Sequence, residues 1–251
     1  MISKNKISDI RKLHLKKFRD AERLFLVEGR KSVEMLLLSD YDVVEIFATP
    51  EMADRNASML AGRPVTEVTA AEMSRISTMS TAPELMAVAR QVQDGEPIAA
   101  DAPVIVLDRI ADPGNLGTIV RTADWFDIRH VVCSPDCVEF YSPKTIQSTM
   151  GSFAHTHVHV ADLRAFLREQ GKSRRIIGTF LDGEPLQDFD FQPSDIIVMG
   201  SESHGISSEV ANCVTHRVTI PAVAVGRATA ESLNAAVAAA IVMHQLTLKT
   251  R

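Results

Sequence analysis

Three short segments of this 251-residue chain combine glycine or proline with a few polar side chains. That composition suits loops whose backbone comes close to a ligand. The first is DRIADPGNLGTIVR, Asp108 to Arg121. The second is GSESHG, Gly200 to Gly205, and the third runs from Ile220-Pro221 to Ser232-Leu233-Asn234. Gly114 and Gly117 form a GxxG that leads into a helix, but the GxGxxG and GxxxxGK[ST] patterns of nucleotide loops are absent. Arg121 falls on the helix face of Gly117 and Thr118, where it can reach back to a ligand in the loop. Asn115, near the start of that helix, is either a cap or a site residue. Glu202 is a carboxylate beside glycines, either a surface acid or a site group. Ser232 and Asn234 flank Leu233 at the first turn of the last helix, and either can cap it.

Other constellations carry less. His155, His157 and His159 alternate along a strand and face one side, but no second cluster of His, Cys or acids completes a ligand set, so no metal is expected. Cys133, Cys137 and Cys213 lack CxxC spacing, which fits a reducing compartment and structural thiols. Trp125-Phe126 reads as core rather than as a platform for stacking bases. Gly151 marks the turn that ends a helix.

The positioning elements follow from periodicity. Residues 1–91 read as a small α+β domain. Helices are expected at Lys6–Arg19, Ser32–Leu38 and Ala70–Ser77, and strands at Leu24–Val27, Val43–Ala48, Thr66–Val68 and Leu85–Arg90. Residues 92–103, VQDGEPIAADAP, read as a linker. From 104 to 251, strand and helix alternate. Strands are expected at Val104–Leu107, His130–Ser134, His155–Val160, Arg175–Leu181, Asp195–Met199 and His216–Ile220. Helices fall between them at Asn115–Phe126, Pro143–Met150, Asp162–Gln170 and Ser208–Val214, with a last one at Glu231–Leu248. Alternation of this kind implies an α/β domain with a parallel sheet, whose ligands bind beyond the carboxyl ends of strands. The last helix, AAVAAAIVMHQL, is apolar nearly all round and needs cover on most sides, which a dimer interface would supply.

The chain carries a net charge of −5, unevenly spread. Residues 1–31 hold ten Lys/Arg against four acids, so a basic segment precedes an acidic body. Lys4, Lys6, Arg11, Lys12, Lys16, Lys17 and Arg19 make that segment either a solvated helix face or a candidate phosphate-contacting surface, which the resemblance given below would make an RNA-binding one. No apolar run approaches the roughly 20 residues of a membrane helix, and the basic N-terminus lacks the apolar stretch of a secretory signal. A cytoplasmic protein is expected.

Taken together, DPGNLGTIVRTADWF, MGSESHGIS and IP…ESLNAAVAAAI resemble, in order and strand context, the three motifs of the SpoU/TrmH class of SPOUT methyltransferases. FLVEGRKSVEMLL resembles the substrate-binding domain often fused to them. The resemblance implies a trefoil knot in the C-terminal domain, a homodimer with its site near the interface, and S-adenosylmethionine as cofactor. It implies that Gly200, Gly205, Ile220 and Leu233 bind the cofactor. It implies that Asn115, Arg121, Glu202, Ser232 and Asn234 form the polar active-site set, acting on a ribose 2′-hydroxyl of rRNA or tRNA. Ser201, Ala222, the QST at 147–149 and the long 221–231 stretch depart from the family's pattern. The alternatives are a non-catalytic RNA binder with this fold, a base-directed RNA methyltransferase, and a nucleotide-dependent enzyme disfavoured by the missing phosphate loop.

Overall fold

The structure, a computed structural model, describes residues 2–92, 97–223 and 230–250. The chain divides into two compact units, Met1–Asp94 with Glu139–Ala154, and Gly95–Val138 with His155–Arg251.

The first unit opens with α1 (Lys4–Lys12) and α2 (Lys16–Glu22), where periodicity suggests one helix. The chain turns between them because Leu13 enters the core and His14 Nε2 bonds the Ile76 carbonyl at 2.8 Å. There follow β1 (Leu24–Glu28), α3 (Arg30–Leu37), β2 (Val43–Ala48), α4 (Pro50–Arg55), α5 (Ala57–Leu60), β3 (Val65–Glu67), α6 (Ala70–Ile76) and β4 (Leu85–Arg90). The short α4 and α5 have no counterpart in the periodicity; Thr49 caps α4 and Pro50 opens it. The sheet runs β1-β4-β2-β3, antiparallel except for β2–β3. Ile7, Ile10, Leu13, Met73 and Ile76 pack with Leu26, Phe47, Met86 and Val88 in one core cluster.

A second stretch of chain completes this unit. It carries α8 (Pro143–Thr149) and a 3-10 turn at Ser152–Ala154. The sequence places the whole of 104–251 in one domain, yet Glu139–Ala154 packs with the first unit. Aromatic contacts explain this: the Tyr141 ring centroid lies 4.7 Å from that of Phe25, and Phe153 stands edge-on to Phe25 and Tyr41. Gly151 has φ 101°, and a β-carbon there would lie 2.7 Å from Met35 Cγ.

The second unit contains β5 (Val104–Asp108), α7 (Pro113–Trp125), β6 (His130–Cys133), β7 (His157–Val160), α9 (Leu163–Gln170), β8 (Ile176–Pro185), β9 (Ile196–Gly200), α10 (Ser208–Ala211), β10 (His216–Thr219) and α11 (Ala235–Thr250). Its six strands run β10-β8-β9-β5-β6-β7, every pair parallel. Up to Asp108 and Gly200 at their carboxyl ends, β5 and β9 are buried apolar runs, as expected of central strands covered on both faces. From β5 the chain moves to β6 and β7 at one edge, then crosses to β8 and back to β9 beside β5. The strand order therefore reverses at the β5–β9 boundary, the kind of crevice where parallel sheets hold ligands.

Trp125 is not core: it is 83% exposed, because Leu116, Ile119, Val120 and Ala123 take the inner face of α7. The three histidines also divide. His155 precedes β7 and meets Asp124, whereas His159 Nε2 lies 3.2 Å from His130 Nδ1. No group of three or more potential metal ligands occurs among the described residues. Among them, too, no helix is long and apolar enough to cross a membrane.

Candidate active site

The register Leu107↔Met199 and Asp108↔Gly200 sets the carboxyl ends of β5 and β9 side by side, so the loops that follow them start as neighbours. After β5, Asp112 caps α7 by accepting from the Asn115 amide at 2.8 Å, and Pro113 opens the helix. With Asp112 as the cap, the Asn115 side chain is free for other work. After β9, residues 201–205 form a tight turn closed by Gly205 N to the Ser201 carbonyl at 2.8 Å. Gly205 has φ 62°, and a β-carbon on Gly200 would meet the Gly205 carbonyl carbon at 2.0 Å, so both positions require glycine.

Glu202 projects from this turn. Its Oε1 accepts from Asn115 Nδ2 at 2.5 Å, from the Ala235 backbone amide at 3.1 Å and from Asn234 Nδ2 at 3.4 Å. Asn234 Nδ2 also donates to Asn115 Oδ1 at 2.9 Å. Asn234 Oδ1 caps α11, accepting from the Ala236 and Val237 amides at 3.0 and 3.2 Å. Asn234 thus caps and joins the site at once. The last helix begins at Ala235, later than its apolar pattern suggests, because Ser232, Leu233 and Asn234 belong to the loop. One carboxylate oxygen ties together all three candidate loops. Three donors converge on it at the amino end of α11, where a negative charge is favoured.

Arg121 and Ser232 stay outside this network. Both are exposed, and Arg121 has no ion-pair partner among the described residues. Leu233 is 45% exposed and Ile220, just past β10, is half-buried. Residues 224–229, part of the long 221–231 stretch, lie outside the described residues.

Asp108 is a positioning residue that the sequence does not single out. It is buried at the end of β5, and its Oδ2 accepts from the Ser207 amide at 2.6 Å, pinning the far side of the glycine turn. Arg109 follows with φ 60°, a region that side-chain-bearing residues rarely adopt. Its amide donates to Ser134 Oγ at 3.0 Å and the Ile110 amide to Cys137 Sγ at 3.3 Å, so the end of β6 holds the strained turn in place. Only the fold brings these groups together; a buried acid among loop residues has no distinguishing pattern in one sequence.

The basic residues of the first unit divide as well. Arg19 does not fit a phosphate-binding role: it is 3% exposed, with its guanidinium paired to both Glu139 oxygens and to the Leu13 carbonyl. Lys6, Lys12 and Lys16 are ion-paired to Glu45, Asp9 and Asp20, whereas Lys4, Arg11 and Lys17 have no ion-pair partner among the described residues.

Residues 102–244, more than half the chain, match the model of the SpoU rRNA Methylase family. The chain belongs to this family. Residues 4–87 of this SpoU-family chain match the MRM3-like substrate binding domain. The 23S rRNA (guanosine(2553)-2′-O)-methyltransferase RlmP of Bacillus subtilis is 30% identical over 243 residues, covering 96% of this chain and 95% of its own. Among solved structures, a TrmH-family protein from Porphyromonas gingivalis superposes with a TM-score of 0.88 at 37% identity, covering 98% of each chain. An AdoMet-bound rRNA methyltransferase from Sinorhizobium meliloti superposes with a TM-score of 0.84 at 26% identity, covering 98% of this chain and 95% of that one. The architecture is that of a SPOUT methyltransferase with an N-terminal substrate-binding domain.

Proposed function

We propose that this protein methylates a ribose 2′-hydroxyl of RNA, with ribosomal RNA the favoured substrate. The observation that carries the reading is the convergence of Asn115, Asn234 and the Ala235 amide on one oxygen of Glu202 at the β5–β9 crevice. A full-length match to a 23S rRNA 2′-O-methyltransferase supports the substrate class.

The residues fit S-adenosylmethionine. The glycine turn at 200–205 brings backbone amides and carbonyls to the sheet's ligand edge, and Gly200 leaves no room for a side chain there. Leu233 offers exposed apolar surface beside Asn234, and Ile220 a half-buried one past β10. Gly200, Gly205, Ile220 and Leu233 would hold the cofactor. When bound, it supplies an electrophilic methyl group on a sulfonium.

The chain's own residues then divide the work. Glu202 and Asn234 hold the loops in register, and Asn115 links them to α7. Arg121, on the same helix, is the group for the ribose oxygen. A guanidinium keeps its proton, so Arg121 stabilises the negative charge that develops on the hydroxyl oxygen as its proton passes to water or an RNA phosphate. Ser232 positions the hydroxyl or the loop.

The homodimer belongs to the same reading. α7 and α11 pack together, yet Trp125 on α7 and Val237 and Leu248 on α11 are 83%, 50% and 62% exposed. Large apolar side chains left exposed on the two outer helices support a subunit interface. A trefoil knot of the second and third loops, action in the cytoplasm and RNA affinity from Lys4, Arg11 and Lys17 complete the proposal.

The test is transfer of label from S-adenosylmethionine to unmodified ribosomal and transfer RNA, followed by nucleoside analysis. Label in a 2′-O-methylnucleoside is the expected result. Label on a base, or no transfer despite cofactor binding, would refute it.

A further inference from the structure

The first unit contains a cleft of about 940 Å³ whose lining includes Arg11, Arg75, Lys144, Ser77, Thr78 and Ser142. We infer that this cleft grips the phosphodiester backbone of the substrate RNA, which rests on the RNA-methylation reading above. Three exposed cations enter it from three separate elements: Arg11 from the end of α1, Arg75 from the end of α6 and Lys144 from α8. Among the described residues none of the three has an ion-pair partner and no carboxylate lines the cleft, although the whole chain is net acidic. Arg19, at its base, is neutralised by Glu139.

The hydroxyl wall is built to stay in place. Glu28, 8% exposed at the end of β1, sits behind it and accepts from the Ser77 hydroxyl, the Thr78 hydroxyl and the Thr78 amide. His14, bonded to the Ile76 carbonyl, fixes the adjoining backbone. Arginine and lysine side chains contact phosphate oxygens in nucleic-acid interfaces, whereas the Ser77 and Thr78 hydroxyls give their protons to Glu28 and shape the wall. Among the described residues the lining has no Phe, Tyr or Trp on which a base would stack. The cleft therefore holds backbone and sets orientation without reading sequence. It also gives Glu139–Ala154 a reason to leave its own sheet. That segment carries Lys144 and Ser142 into the first unit, so the cleft exists only where the excursion docks.

The test compares two full-length variants with equal loss of charge. One is Arg11→Gln, Arg75→Gln, Lys144→Gln in the cleft; the other is Arg164→Gln, Arg168→Gln, Lys172→Gln, exposed cations on and just after α9 in the second unit. Each is titrated with an unmodified 23S rRNA transcript between about 50 and 200 mM salt, the range over which phosphate contacts show. The cleft variant is expected to bind at least about tenfold more weakly, with a log–log salt slope shallower by about 2, since each lost phosphate contact removes about 0.7–0.9. The control is expected to change less than about threefold, and cofactor affinity to hold in both. If the triple variant melts early, the exposed single changes Arg75→Gln and Lys144→Gln carry the same sign.

Equal effects of the two triple variants, or an unchanged slope in the cleft variant, would overturn the cleft while methyl transfer still supported the activity. RNA binding through the cleft without any methyl transfer would overturn the activity and leave the cleft standing. Displacement by poly-glutamate as strong as by RNA would overturn the assignment to RNA in favour of an acidic peptide.

Discussion

Asn115 and Glu202 stand 87 residues apart in the chain and share a hydrogen bond across the carboxyl ends of adjacent strands. Because Glu202 also takes the amides of Asn234 and Ala235, the bond belongs to a network and not to an isolated pair. Removing either partner should cost most of what removing both costs. Asn115→Ala and Glu202→Ala are each expected to lower kcat/KM for methyl transfer at least about tenfold. The double variant should lie well short of the product, with a coupling of about 0.5–3 kcal/mol for residues in contact. A double-mutant cycle on labelled methyl transfer measures it; strict additivity would mean that the two act independently.

Arg121 is exposed and makes no ion pair among the described residues, so its loss should leave the fold intact. Arg121→Ala is expected to reduce kcat by about a hundredfold or more, the scale of losing one oxyanion-stabilising donor. Cofactor affinity by calorimetry should change less than about twofold. Full turnover in this variant would remove Arg121 from the chemistry.

Asp108 holds the Ser207 amide from a buried position. Asp108→Ala strands that amide, at a cost of about 1–3 kcal/mol for an unsatisfied buried group. It also frees the far side of the glycine turn. Weaker cofactor binding and an earlier thermal transition are expected together. A destabilised variant with unaltered cofactor affinity would confine Asp108 to a structural role.

Arg19 and Glu139 form a buried, bidentate pair that ties α2 to the start of the 139–154 segment. Glu139→Ala leaves a buried guanidinium without its partner, which should cost about 3–5 kcal/mol. Replacing both with apolar residues should cost less, because no charge is then stranded. Urea denaturation of the single and double variants gives the comparison. Equal losses would show that packing, not charge, decides this site.

Much of this protein was legible in the residues. Apolar runs at Val104–Leu107 and Ile196–Met199 announce central parallel strands, because a strand buried on both faces cannot alternate. The ordered motifs around Asn115, Glu202 and Asn234 marked candidate loops through their family resemblance, while residue type alone left each of these residues open to a cap or surface role. Local pattern also located most helices, but it joined α1 to α2 and missed α4 and α5, whose turns depend on His14 reaching Ile76 and on a short cap at Thr49.

What only the tertiary structure decided is partnership. Lysine and arginine look alike along a sequence. Arg19 lies buried against Glu139, 120 residues away, whereas Arg11 opens into a cleft with Arg75 and Lys144. Trp125 reads as core by type but faces outward by helical phase. The site carboxylate takes its donors from two other loops because strand register makes those loops neighbours. Burial and hydrogen bonding are properties of positions in space. Residue type constrains them, and the packing of distant segments sets them.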